Sequence, residues 1–161
     1  MIDKLSIDKK LNDLNENIVM LNKFRKISLE DLKKSLKDQL AIFYGLQISI
    51  QAIIDIGNHI LASLKENQIE EYVDIIDKLG EKEIIPKDFS EKIRGMVGLR
   101  NLLVHEYGII NIQKIYDVLQ NNITDFEEFQ NYIKKYLELW KYKTYGGFCE
   151  YFLYSPASPQ K

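Results

Sequence analysis

Arg100, Asn101, His105 and Tyr107 stand within about two helical turns of one another in the string RNLLVHEYG, residues 100–108. They sit among leucines and a valine that belong in a core. An imidazole transfers protons well near neutrality, and a guanidinium offers a planar fork that fits phosphate oxygens. Together they suit a phosphodiester. RNA carries its own nucleophile, the 2′-hydroxyl. Its cleavage needs a base for that proton, an acid for the 5′-oxygen and positive charge for the phosphorane. His105 could move the protons, Arg100 could supply the charge, and Asn101 could orient the phosphate or the imidazole. Such a site needs no metal, and two distant histidines with one cysteine offer no metal cage.

Helical geometry sets how these residues can meet. At about 100° per residue, Ile93, Met96, Val97, Leu99, Leu103 and Val104 fall on one broad arc. Arg100 lies inside that arc, and Tyr107, seven residues on, sits directly above it. Asn101 and His105 share a different side. Arg100 and His105 can still meet where both curl toward a groove at the helix edge, or where two copies of the helix come together. Gly95 and Gly98 strip side chains from the flank near His105, so a second copy of this helix could approach. A plainer arrangement serves the same residues: Arg100 paired with an acid such as Asp55, His105 on the surface, and Tyr107 a core aromatic with a satisfied hydroxyl.

The elements that must hold these groups read as helices nearly throughout. Leu11, Leu14, Ile18 and Leu21 keep a three-four spacing that predicts a helix over about residues 3–26. Ser28 is a suitable N-cap for a helix running to about residue 65, with Glu30 and Asp31 in its first turn. This stretch is interrupted by Gln47, Gln51, Asp55, Asn58 and His59, which marks a buried helix and not a membrane span. Asp55 and His59, four apart on one face, could hold Arg100 or His105, or could make ordinary interhelical hydrogen bonds. Ile69, Val73, Ile76 and Leu79 mark a short helix stopped by Gly80. Asp88 and Glu91 stand in capping-box spacing and start the motif helix at about residue 89. Ile112, Ile115, Tyr116 and Leu119 give a short piece. Thr124 and Glu127 form another capping box, ahead of a helix carrying Phe126, Phe129, Ile133, Leu137 and Trp140. The fold class is all-α: an antiparallel bundle of about five helices over residues 1–143. The tail, residues 144–161, has paired glycines, clustered aromatics and two prolines, and it either packs on a partner or is partly disordered.

With 161 residues, 45% of them apolar, the chain suits one domain with a real core. Its net charge of −2 gives no global field for nucleic acid. A local patch must do that work, and Lys87, Lys92, Arg94 and Lys114 are either that patch or a solvated face. Cys149 is the lone cysteine, which fits a reducing cytoplasm.

The string R-N-x-x-x-H-x-Y resembles the signature of HEPN domains, and tyrosine two beyond histidine is similar to their HepT branch. The segments FSEKIRGMVGLRNLLVHEYG and IQAIIDIGNHIL extend the likeness, which covers about residues 28–142. The resemblance implies a metal-independent endoribonuclease without cofactors, the toxin of a toxin–antitoxin pair. It implies a homodimer in which both Arg100–His105 motifs line a shared RNA cleft, with Asn101 as a polar helper. It also implies an MntA-like minimal nucleotidyltransferase antitoxin that transfers AMP onto Tyr107. The alternative is a non-catalytic helical module that binds RNA or nucleotide for such a nucleotidyltransferase.

Overall fold

The computed structural model describes residues 3–66, 69–105 and 110–145, with side chains placed up to residue 140. Among the described residues there are eight helices: α1 Lys4–Phe24, α2 Leu29–Lys34, α3 Leu36–Ser63, α4 Tyr72–Glu81, α5 Lys87–Ile93, α6 Gly95–His105, α7 Ile112–Asn121 and α8 Ile123–Tyr145. The all-α bundle is the observed architecture. The helix count exceeds the expected five or so: the sequence reads as six helical segments, and two of them each break once.

The first break is at Ser35. Ser28 caps α2 as expected, its side chain accepting from the Asp31 N–H at 3.1 Å. Seven residues later Ser35 turns extended, and its hydroxyl oxygen accepts from the Asp38 N–H to start α3. Gln39 then donates to the carbonyls of Leu32 and Lys33, which closes the end of α2. Serine offers the backbone this local alternative to continued helix. The second break is at Arg94, between α5 and α6. The α5 start also differs from expectation. Pro86 leads the chain directly into Lys87, and Asp88 spends its carboxylate on the neighbouring Phe89 N–H, so the Asp88–Glu91 box does not form. α8 begins at Ile123, ahead of the expected Thr124 cap.

α3 is the axis of the molecule. Its length and composition alone would let it cross a membrane. Twelve of its residues are instead buried, among them Leu46, Ile50, Ile53, Ile54 and Ile60, against α1, α4 and α6. α1 buries Ile7, Leu11, Leu14, Ile18 and Leu21, the period-3.6 stripe legible in the sequence. α8 adds Phe126, Phe129, Ile133 and Leu137. Polar clasps fix the layers: Gln130 donates to the buried Leu11 carbonyl at 2.8 Å, and Arg25 and Gln120 exchange side-chain-to-carbonyl bonds of 2.9 and 3.0 Å.

Gly80 does not stop α4, which continues to Glu81. No described glycine has positive φ; Glu83, at φ 55°, makes the left-handed turn instead. Gly80 is needed for close approach. A Cβ there would stand 2.8 Å from the Ser90 Cβ and nearer still to its hydroxyl oxygen, so α5 can lie against α4 only where that carbon is missing. Ile69, expected in this helix, lies ahead of it.

Candidate active site

α6 carries the motif, and two of its residues, Val97 and Leu103, are buried. They seat the helix on α3 and leave its other faces for chemistry. Arg100 is half-buried, while Asn101 and His105 are exposed. All three open onto one groove of about 640 Å³, whose other wall is the start of α4 with Glu70, Glu71, Tyr72 and Val73. Arg100 and His105 therefore line the same groove within a single chain. Tyr107 falls outside the described residues, as does Cys149.

The guanidinium of Arg100 is held on several sides. Its Nε–H donates to Gln51 Oε1 at 3.0 Å, and its Nη1 donates to Asn101 Oδ1 at 3.2 Å. The ring of Tyr72 lies 5.3 Å from its Cζ, within cation–π range. Asp55 does not pair with Arg100. Its Oδ1 accepts from Gln51 Nε2 at 2.8 Å, and its Oδ2 lies 3.6 Å from Lys10 Nζ. Support from Asp55 therefore reaches the arginine through an amide. His59, one turn further along α3, is half-buried; its side chain makes no hydrogen bond among the described residues and does not line the groove.

The α4 wall has its own brace. The Asp74 carboxylate accepts from the backbone N–H groups of Glu71 at 2.8 Å and Glu70 at 2.9 Å. These two bonds, to Glu71 first and then Glu70, hold its pKa below the usual carboxylate range. The expected basic patch is mostly spoken for. Lys92 lies 2.6 Å from the buried Asp125 and 3.6 Å from Glu128, and Arg94 bonds Asp77 at 2.9 and 3.1 Å. The hydrogen bond to Asp125 raises the Lys92 pKa. Lys87 lines a separate groove of about 680 Å³ between the α4–α5 connection and α8, which contains none of the motif residues.

Gln51 and Tyr72 escaped the sequence reading as site residues. Gln51 left a trace, a polar residue four before Asp55 on an otherwise apolar helix. Tyr72 left none, because its place beside Arg100 depends on how α4 docks.

The chain matches the HepT-like ribonuclease family over residues 14–133. It belongs to that family. The endoribonuclease class implied by the motif string stands with it. This HepT-like chain is 31% identical over 136 residues to the tRNA nuclease HepT of Aphanizomenon flos-aquae, covering 84% of this chain and 92% of that protein. It is 33% identical over 96 residues to the mRNA nuclease HepT of Shewanella oneidensis, covering 60% and 72% respectively. In three dimensions it is similar to a tri-AMPylated Shewanella oneidensis HEPN toxin in complex with its MNT antitoxin. That likeness has a TM-score of 0.73 at 28% identity, over 80% of this chain and 96% of that one. The Bacillus subtilis protein YutE shares the fold, with a TM-score of 0.76 at 20% identity over 86% and 92%.

Proposed function

We propose that this HepT-like chain is the toxin of a toxin–antitoxin pair. It cleaves RNA without a metal, through Arg100, Asn101 and His105, at a cleft completed by a second copy of the chain. The observation that carries the reading is the common groove: a phosphate-binding guanidinium and a proton-transferring imidazole open onto one space, with the Asn101 amide bonded to the guanidinium. The 2′-oxygen attacks phosphorus as its proton passes to an imidazole. The P–O5′ bond breaks as the 5′-oxygen takes up a proton, leaving a 2′,3′-cyclic phosphate. Arg100 neutralises the charge on the phosphorane in between. Two copies of α6 would bring two imidazoles to one linkage, one for each proton. The open flanks of Gly95 and Gly98, where an added Cβ would meet nothing within 4 Å, leave room for that approach.

Its partner is an MntA-like nucleotidyltransferase that silences it by transferring AMP to Tyr107. The phenol oxygen attacks the α-phosphorus of ATP, pyrophosphate leaves and the phenolic proton is released. An anionic phosphate added seven residues beyond Arg100 would compete for the positive charge meant for RNA. The AMPylated state of the Shewanella toxin in its antitoxin complex supports this.

The test incubates purified protein with total RNA in EDTA and maps new ends. Wild type cleaves, and His105→Ala and Arg100→Ala each lose about 10²–10⁴-fold in rate. AMP transfer by the partner abolishes wild-type cleavage and leaves Tyr107→Phe active. RNA binding without cleavage by wild type would return the chain to the non-catalytic alternative.

A further inference from the structure

An arginine that must meet a phosphate in one orientation has to be prevented from taking others. Arg has five N–H donors and no acceptor, so only acceptors can steer it. Gln51 provides one, but an amide is ambiguous. Its oxygen and nitrogen ends are nearly the same size, and turning it over would set NH₂ against a guanidinium, donor against donor.

Asp55 removes the ambiguity. A carboxylate can only accept, and it sits 2.8 Å from Gln51 Nε2. The amide is thus caught between a group that only donates and a group that only accepts, and one orientation satisfies both. Lys10 Nζ lies 3.6 Å from the other carboxylate oxygen and holds the group from its far side. The result at Arg100 is selective. Its Nε edge is engaged by α3, one Nη1 proton by Asn101 and one face by the Tyr72 ring. Nη2 has no acceptor among the described residues, so the terminal fork remains for an anion.

We infer that Gln51 is a positioning residue for Arg100, and that Asp55, held by Lys10, acts through it by fixing which end of the amide faces the guanidinium. This rests on the ribonuclease reading for its catalytic consequence but not for its geometry. A mere tie between α3 and α6 would affect melting. A positioning role also affects the chemical step and depends on polarity in a particular order along the relay.

Two measurements test it. In the RNA-cleavage assay, Gln51→Leu lowers kcat by about 10–100-fold, the scale of a misplaced catalytic group, with a smaller change in KM. Asp55→Asn lowers it less, because the amide is then free to turn. Gln51→Glu alone is poor, because it sets two carboxylates against each other. Gln51→Glu combined with Asp55→Asn recovers most of the rate, since the new carboxylate accepts from both neighbours. Separately, the Arg100 Nε–H resonance, assigned by its loss in Arg100→Lys, exchanges slowly with solvent in wild type and rapidly in Gln51→Leu. Wild-type kcat in Gln51→Leu, or a double variant no better than Gln51→Glu, overturns the inference. So does an Nε–H indifferent to Gln51, even if wild type proves inert toward RNA, and inertness itself overturns only the ribonuclease reading.

Discussion

Replacing Gly80 by valine should damage both stability and activity, although Gly80 touches neither Arg100 nor His105. The structure sets the scale. A Cβ at this position stands 2.8 Å from the Ser90 Cβ, about 0.7 Å inside the ~3.5 Å at which two carbons make good contact. Both residues are buried, and the obstructing carbon is bonded directly to the α5 backbone, so no side-chain rotation relieves it. Valine adds two further methyls. Overpacking of this kind costs about 1–3 kcal/mol, of which valine's better helix propensity returns only a few tenths. At the upper end that is a fall in Tm of about 6–12 °C for a chain of this size. Because α5 leads through the single residue Arg94 into α6, the displaced helix should also carry the motif away from the α4 wall and reduce cleavage. Thermal melting of Gly80→Ala, Gly80→Val and each with Ser90→Gly separates packing from helix termination. Packing makes valine worse than alanine, and Ser90→Gly raises the Tm of Gly80→Val despite the ~1 kcal/mol that glycine costs in a helix. Equal penalties for alanine and valine, with no coupling to Ser90, would refute the reasoning.

Two further perturbations probe the groove and the assembly. The depressed Asp74 pKa means that its bonds to Glu71 and Glu70 stabilise the start of α4 fully above the unfolded carboxylate pKa; that contribution is lost as pH falls through the lower, folded value. Protection of the Glu70 and Glu71 amides, taken relative to the intrinsic exchange rate at each pH, should therefore fall on acidification in wild type and be low already at neutral pH in Asp74→Asn; equal protection in both would contradict it. Gly98→Trp places bulk where the chain itself has nothing within 4 Å, so helical content should be unchanged. Light scattering should then report a dimer for wild type and a monomer for the variant, and a wild-type monomer or an unaffected dimer would count against the shared cleft.

The helices were legible because apolar residues recur at helical spacing: the α1 stripe of Leu11, Leu14, Ile18 and Leu21 is buried as read. Breaks were not legible, because they depend on single polar residues choosing between two local partners. Ser35 could have sat inside a helix, and only the meeting of its hydroxyl with Asp38, and of Gln39 with the preceding carbonyls, shows that it does not. Gly80 misled for a related reason. Glycine is missing a side chain both where φ must be positive and where a neighbour must come close, and sequence cannot say which. At the site, Arg100, Asn101 and His105 stood out as polar residues among leucines. Asp55 was placed beside Arg100 in the plain ion-pair reading because charge alone suggested it, whereas the observed contact needs the length of Gln51 to span the gap.

The motif helix is lightly anchored. α3 commits twelve residues to the interior and α6 only two, Val97 and Leu103. A substitution on α6 therefore puts few core contacts at risk, while one on α3 disturbs the whole bundle. Variation has a natural place to accumulate: the exposed positions of α6 and of the α4 lip that hold none of Arg100, Asn101, His105 or Tyr72 can be rewritten to suit new RNAs or new antitoxins, while α3 keeps both the hydrophobic spine and the amide that aims the arginine.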